Sequence, residues 1–196
     1  MPVTPGVTMK EGFFGLKSAH IAWLEASGTY ATPIAVPGIR ALKMKAEGSK
    51  EKKYADDNVW AALYSNQGFD GEAVFYNVSD EIVAKMLGYE IDANGAVLGI
   101  TNGVPAHFAL LSEEQAISGN PKRTVYYDCS ISRPDNEAAT KEDKVDLKEQ
   151  TYSITAIPVA IGERTLDHST LQKSTKNEAV FGTFFTKVYL PGQTAV

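Results

Sequence analysis

Apolar and polar residues alternate along most of this chain, and helical spacing is rare. GLKSAHIAWL (Gly15–Leu24) puts Leu16, Ser18, His20, Ala22 and Leu24 on one side and Lys17, Ala19, Ile21 and Trp23 on the other. IRALKMKA (Ile39–Ala46) alternates more cleanly, with Leu42, Met44 and Ala46 opposed to Lys43 and Lys45 and with Arg40 apart. NVWAALYS, GEAVFYNV, AHFALLS, RTVYYDCSIS, QTYSITAIPVAI and AVFGTFFTKVYL are rich in β-branched and aromatic residues and predict further strands. The spacing predicts one helix, SDEIVAKMLG, over about Ser79–Leu87. Ser79 suits the N-cap, Asp80 and Glu81 suit the positive end of the helix dipole, and Gly88 suits the left-handed C-terminal position. So short a helix is unstable alone and must dock on a sheet. The expectation is a mainly β, antiparallel sandwich or barrel of roughly eight to ten strands with one short flanking helix.

The connections are uneven. DANG (Asp92–Gly95) reads as a tight hairpin turn. The Pro-, Gly- and Thr-rich start reads as an extended arm over Met1–Phe14. KAEGSKEKKYADDNVW opens on Lys45, and its residues Lys45–Asn58 read as a long charged loop between two strands. Arg133–Glu149 is a second charged connection and Gly162–Lys176 a third polar stretch, leading to an expected final strand within a loosely placed segment, residues 162–196. With no fixed-period repeat, residues 1–196 read as a single domain.

Hydrophobic residues make up 43% and charged residues 22%, the balance of an ordinary globular protein. A net charge of -5 argues against gripping nucleic acid or an anionic membrane through a basic surface. The single cysteine, Cys129, cannot form an intrachain disulfide, which excludes a disulfide-stapled scaffold and favours a reducing compartment. The N-terminus lacks the pattern of a signal peptide, and no apolar run reaches the roughly 20 residues of a membrane span.

Residue patterns that carry chemistry are few in this chain. His20, His107 and His168 have no second His or Cys at metal-ligand spacing, so no cofactor or metal is expected. Asp167–His168–Ser169 contains the residue types of a hydrolase triad, but neighbouring side chains diverge where a triad must converge. GNPKRT (Gly119–Thr124) lacks the Gly-Lys-Ser/Thr ending of a phosphate loop, and DANGA lacks the later ligands of a calcium loop. Cys129 reads as a buried small apolar residue. No catalytic residues are expected, and the chain reads as a non-enzyme.

The charged run is therefore the candidate site. Lys50, Glu51, Lys52 and Lys53 make one end mainly basic, and Asp56 and Asp57 make the other acidic. Such a strip suits head-to-tail contact between identical copies, with Tyr54 and Trp60 as aromatic anchors. A monomeric module that binds a carbohydrate through Tyr54, Trp60 and Tyr64 is the competing reading.

Several segments, from about Gly15 to Val159, resemble the major tail proteins of long, non-contractile-tailed bacteriophages of Gram-positive hosts. They are GLKSAHIAWL, GIRALKMKAEGSKEKKYADDNVW, YEIDANGAVLGI and KRTVYYDCSISRPDNEA followed by KEQTYSITAIPV. KKYADD after an alternating strand, then GYEID after a short helix, carries most of the likeness. The resemblance implies a fold like that of the type VI secretion tube protein, and hexameric rings stacked into a tail tube that conducts genome DNA without binding it specifically. It implies that Lys45–Asn58 contacts the next ring and that the N-terminal arm, with Phe13 and Phe14, reaches neighbouring subunits. It implies tape-measure, tail-terminator and distal tail or baseplate proteins as partners, and a place in the virion after assembly in the host cytoplasm. Another virion component, such as a decoration or baseplate protein, remains the related alternative.

Overall fold

The computed structural model describes residues 12–135 and 148–192. Its main element is one antiparallel sheet of eight strands in the order β2-β1-β9-β10-β11-β6-β3, with β14 also paired to β10. The strands are β1 (Phe13–Trp23), β2 (Ile34–Ala35), β3 (Ile39–Glu47), β6 (Gly68–Phe75), β9 (Phe108–Ala116), β10 (Lys122–Ile131), β11 (Gln150–Ile157) and β14 (His168–Gln172). Three two-stranded hairpins stand outside it: β4 (Lys50–Ala55) with β5 (Asn58–Tyr64), β7 (Glu90–Ile91) with β8 (Val97–Leu98), and β12 (Val159–Ile161) with β13 (Arg164–Leu166). Two short helices, α1 (Asp80–Leu87) and α2 (Glu178–Thr183), complete the described chain. The architecture is mainly β, antiparallel and sandwich-like, as the alternation predicts.

The sheet curls until β1 and β3, near its two ends, come into contact. Inside the curl lies the larger core, with Ile21, Trp23, Phe75, Phe108, Leu110, Tyr152 and Ile154, closed by Met86 of α1 and by its partly buried Ile82, Val83 and Leu87. A second core lies on the opposite face of β1, β9 and β10, where Ala22, Ala109, Leu111, Val125 and Tyr127 meet Phe184 and Val188 from the C-terminal segment. Strand β9 is buried on both faces for this reason: Phe108 and Leu110 point into the first core, Ala109 and Leu111 into the second.

Three sequence expectations need correction. AVFGTFFTKVYL is not a strand: α2 spans its first part, and Phe181, Phe184 and Val188 are buried. Its apolar residues fall three and four apart, a helical spacing that the aromatic content obscured. QTYSITAIPVAI is two strands, because Pro158 has no N–H to continue a ladder. Phe13 and Phe14 are not part of a free arm. They open β1, opposite Ala116 and Gln115 of β9, and Lys122 Nζ sits 4.3 Å from the Phe13 ring centre. The rest of the expected arm, residues 1–11, and the middle of the second charged connection, residues 136–147, lie outside the described residues.

Strand β1 also explains why its alternation looks imperfect. Register shifts fall between Phe14 and Leu16 and between Lys17 and His20, with Gly15 and Ser18 at positive φ. The second bulge changes phase, so Ala19, Ile21 and Trp23 reach the first core while Lys17 pairs with Glu113 at 3.2 Å.

Helix α1 keeps its expected bounds. Ser79 makes no side-chain cap bond, but Gly88 takes the left-handed conformation at φ 69° and its N–H donates to Lys85 O. A Cβ at Gly88 would lie 2.6 Å from Val104 backbone atoms. Gly88→Ala therefore combines left-handed strain with a backbone clash and should cost about 2 kcal/mol or more. Thermal unfolding should show a fall of about 4–8 °C.

Candidate functional site

The charged run is not an irregular loop. Lys45 belongs to β3, facing Asp70 across the ladder, and bonds Glu47 at 2.7 Å. Beyond Glu47 the pairing continues: Gln67 N–H donates to Glu47 O and Ser65 N–H to Ser49 O. The hydroxyls of Ser49 and Ser65 lie 2.8 Å apart, and a Cβ on Gly48 would meet Ser65 O at 2.1 Å, so the two backbones pass very close at this neck. From there β4 and β5 run out as a two-stranded hairpin. Six paired residues at the rise of an antiparallel strand carry it about 20 Å beyond the sheet.

The hairpin closes on Asp56 and Asp57, both at positive φ (51° and 60°), the geometry of a tight primed turn. Asn58 Nδ2 donates to Asp56 O across it. The residues that the sequence marks as a charge gradient thus occupy the stem, Lys50, Glu51, Lys52 and Lys53, and the tip, Asp56 and Asp57. Register assigns faces. Lys50 is opposite Tyr64, Lys52 opposite Ala62 and Tyr54 opposite Val59, while Glu51 is opposite Leu63 and Lys53 opposite Ala61. The first face carries two lysines and two tyrosines without a carboxylate, and Lys50 Nζ lies 5.2 Å from the Tyr64 ring centre. On the second face Lys53 and Glu51 pair with each other.

Almost nothing in the hairpin is buried. Tyr54 is 67% exposed, Trp60 75% and Tyr64 71%, with Val59 and Leu63 also exposed. The long strands β1, β6, β9, β10 and β11 of the main sheet each bury residues on at least one face, whereas these five large apolar side chains are all exposed in the subunit. Trp60 is the extra residue at a register shift between Lys53 and Tyr54, which turns it out of the regular alternation.

The neck is tethered to the body. Asn66 Nδ2 donates to Asp167 Oδ2 at 2.6 Å, and His168 Nδ1 lies 2.8 Å from Asp167 Oδ1. Burial acts against ionisation here, but the bonds from Asn66 and His168 prevail and hold the Asp167 carboxyl below the ordinary carboxylate range. Ser169 completes no triad, since its hydroxyl accepts from Tyr127 at 2.8 Å. The His168 ring packs against Phe69 and Tyr126. Asp167–His168 is thus a structural clasp at the root of the hairpin.

The other candidates for chemistry are also structural. His107 Nδ1 meets Asp128 Oδ1 at 2.5 Å, and His20 stacks on Phe185 with its Nδ1 2.9 Å from Ser18 O. Cys129 is fully buried, and burial pushes its thiol well up, away from the reactive thiolate. Among the described residues no group of three or more His, Cys, Asp or Glu is placed to hold a metal, and no helix is long and apolar enough to cross a membrane. An apolar void of about 20 Å³ among Ile21, Phe75, Met86, Phe108 and Ile154 is hardly larger than one water.

The sheet beside the hairpin has one polar, uncovered face. Lys43 and Lys45 of β3 lie opposite Glu72 and Asp70 of β6, and Thr151, Ser153 and Thr155 of β11 continue the exposed row. Thr155 Oγ1 donates to Asp70 Oδ1 at 2.7 Å. Neither β3 nor β14 has a second strand partner among the described residues.

No protein-family profile matches the sequence, and no curated protein does. Among solved structures, a chain in the six-fold symmetrised cryo-EM structure of the anti-feeding prophage (AFP) baseplate overlaps with a TM-score of 0.40 at 12% identity, over 87% of this chain and 97% of that one. So loose an overlap leaves the functional reading to the chain's own surfaces.

Proposed function

We propose that this chain is a virion structural protein whose copies close into hexameric rings and stack into a tail tube, the conduit for genome DNA. The projecting β4–β5 hairpin carries the reading: it exposes Tyr54, Val59, Trp60, Leu63 and Tyr64 and buries nothing within its own subunit. Aromatic anchors of about 150–250 Å² each are the side chains that dominate contacts between proteins. The resemblance in segment order to phage major tail proteins supports the same role.

Lateral closure falls to strands with a vacant side, β3 and β14 among them with the two-residue β2, since an unpaired edge is a template for another chain. A heterologous contact that closes by rotation gives a ring, and the faces left over permit stacking. A subunit of net charge -5 suits a wall along which a polyanion slides. Tape-measure, terminator and distal tail or baseplate proteins are then the partners at the ends of the tube. Assembly takes place in the host cytoplasm, and catalysis has no part in this reading.

Negative-stain electron microscopy of the concentrated protein tests it. Rings or tubes are the expected result. Monodisperse monomers at every concentration, above all with selective glycan binding, would replace the tube with a ligand-binding module.

A further inference from the structure

The hairpin needs a surface to land on, and the far end of the same subunit offers one. β3 and β6 pair along their whole length, with Glu47 opposite Gly68 at one end and Ile39 opposite Phe75 at the other. The β4–β5 hairpin leaves from the Glu47–Gly68 end. α1 and the β7–β8 hairpin follow Phe75, at the opposite end. The Ala106 N–H donates to Lys85 O, which ties the return of that excursion to α1.

This second pole also exposes apolar side chains. Ile91 and Val97 face each other across β7–β8, Leu98 lies opposite Glu90, and Val104 is 85% exposed. Glu90 lies in β7 itself and Asp80 and Glu81 open α1 at the same end of the sheet, all three exposed and with no ion-pair partner among the described residues, as is Lys148 just before β11. Lys85, the cation of α1, is engaged over the Trp23 ring at 4.5 Å. At the other pole, among the described residues, Lys52 has no carboxylate partner and Lys50 has only the Tyr64 ring. The stem of the hairpin thus presents Lys50 and Lys52 beside exposed tyrosines, with the Asp56 and Asp57 carboxylates beyond them at the tip, and the other end of the subunit presents unpaired carboxylates beside exposed aliphatic residues.

We infer that the β4–β5 hairpin of one copy docks on the α1/β7–β8 pole of the next copy, with Lys50 and Lys52 facing Asp80, Glu81 and Glu90 and the tyrosines covering Ile91, Val97 and Val104. This rests on the hairpin meeting a sister copy and adds where it lands. Because donor and receiver lie at opposite ends of one subunit, the contact is head-to-tail and repeats without limit. Charge complementarity fixes polarity and register, and apolar burial supplies most of the affinity.

Two sets of full-length variants test it, all at exposed positions and each checked for native circular dichroism. Lys50→Glu with Lys52→Glu, and separately Glu81→Lys with Glu90→Lys, should each raise the critical concentration for tube formation by about tenfold or more, and the combined four-site variant should recover most of that loss. Lys52→Cys with Glu81→Cys, treated with a short bis-maleimide, should give a ladder of dimers, trimers and longer oligomers on a denaturing gel, with Cys129 silent because it is buried. Lys52→Cys alone should stay monomeric. Dimers from that single variant would establish hairpin-to-hairpin contact and overturn the inference. Loss of tubes on hairpin reversal with normal tubes on pole reversal would also overturn the receiving surface, while leaving the hairpin's role intact. A wild-type protein that never assembles would remove both.

Discussion

Replacing residues 50–64 with a two-residue Asn-Gly turn should leave a folded subunit that forms no tubes. The two halves of this expectation have separate causes. Every residue of β4 is exposed, and in β5 only Ala61 is even half-buried, so neither core loses a side chain. Shortening the connection several-fold changes its closure entropy by about 1 kcal/mol, in the stabilising direction. Unfolding free energy should therefore stay within about 1 kcal/mol of the parent, measured by urea denaturation with an unchanged slope. Assembly, in contrast, should fall below detection in sedimentation at concentrations where the parent forms tubes. Tubes of normal length from the shortened protein would show that the hairpin is dispensable.

Arg123→Ala should have the largest effect on stability of any single substitution at a polar side chain. Arg123 lies in β10 opposite Glu113 of β9, and its Nε donates to Glu113 Oε2 at 2.7 Å. Its guanidinium sits between two rings, 3.9 Å from the Phe181 centre and 4.3 Å from that of Phe185, while Nη1 donates to Phe181 O. One side chain thus joins the sheet to α2. Glu113 is 5% exposed, and after the substitution only Lys17, at 3.2 Å, would remain to balance its charge. Stranding a buried carboxylate costs about 3–5 kcal/mol when no partner remains, and Lys17 places this case near the lower figure. A cost of about 3 kcal/mol corresponds to a fall in Tm of about 6–12 °C for a chain of this size. Arg123→Lys should recover little, since an ammonium cannot sandwich between rings and bond in two directions at once. Limited proteolysis near Lys173, Lys176 and Lys187 should accelerate in the Ala variant as the C-terminal cover loosens. An Arg123→Ala protein as stable as its parent would mean that the second core holds α2 without the ion pair.

The same contacts explain what was legible in the sequence. Strands with one wet face, such as β11, where buried Tyr152, Ile154 and Ala156 alternate with exposed Thr151, Ser153 and Thr155, display their period directly. α1 was legible because its acidic first turn and Gly88 punctuate it. The C-terminal cover was not, because its aromatic residues suit a strand on composition and a helix on spacing, and only the second core decides between them. The hairpin was half legible. Its charges and aromatics stand out in the chain, but a stem of lysines, alanines and tyrosines lacks apolar alternation because neither face is buried in the subunit. Its fold is set by continuation of the β3–β6 ladder and by the Asp56–Asp57 turn. The receiving pole was invisible, since adjacency of α1 and β7–β8 at one end of the molecule depends on the register of β3 against β6.

Hydrogen–deuterium exchange over residues 50–64, compared between free subunits and assembled tubes, tests the central claim most directly. In the free subunit these amides belong to an isolated two-stranded ribbon that packs on no core, and they should exchange fast. In tubes they should slow by about tenfold or more, together with amides of residues 80–98. Tubes in which residues 50–64 exchange as fast as in the free subunit would contradict the account.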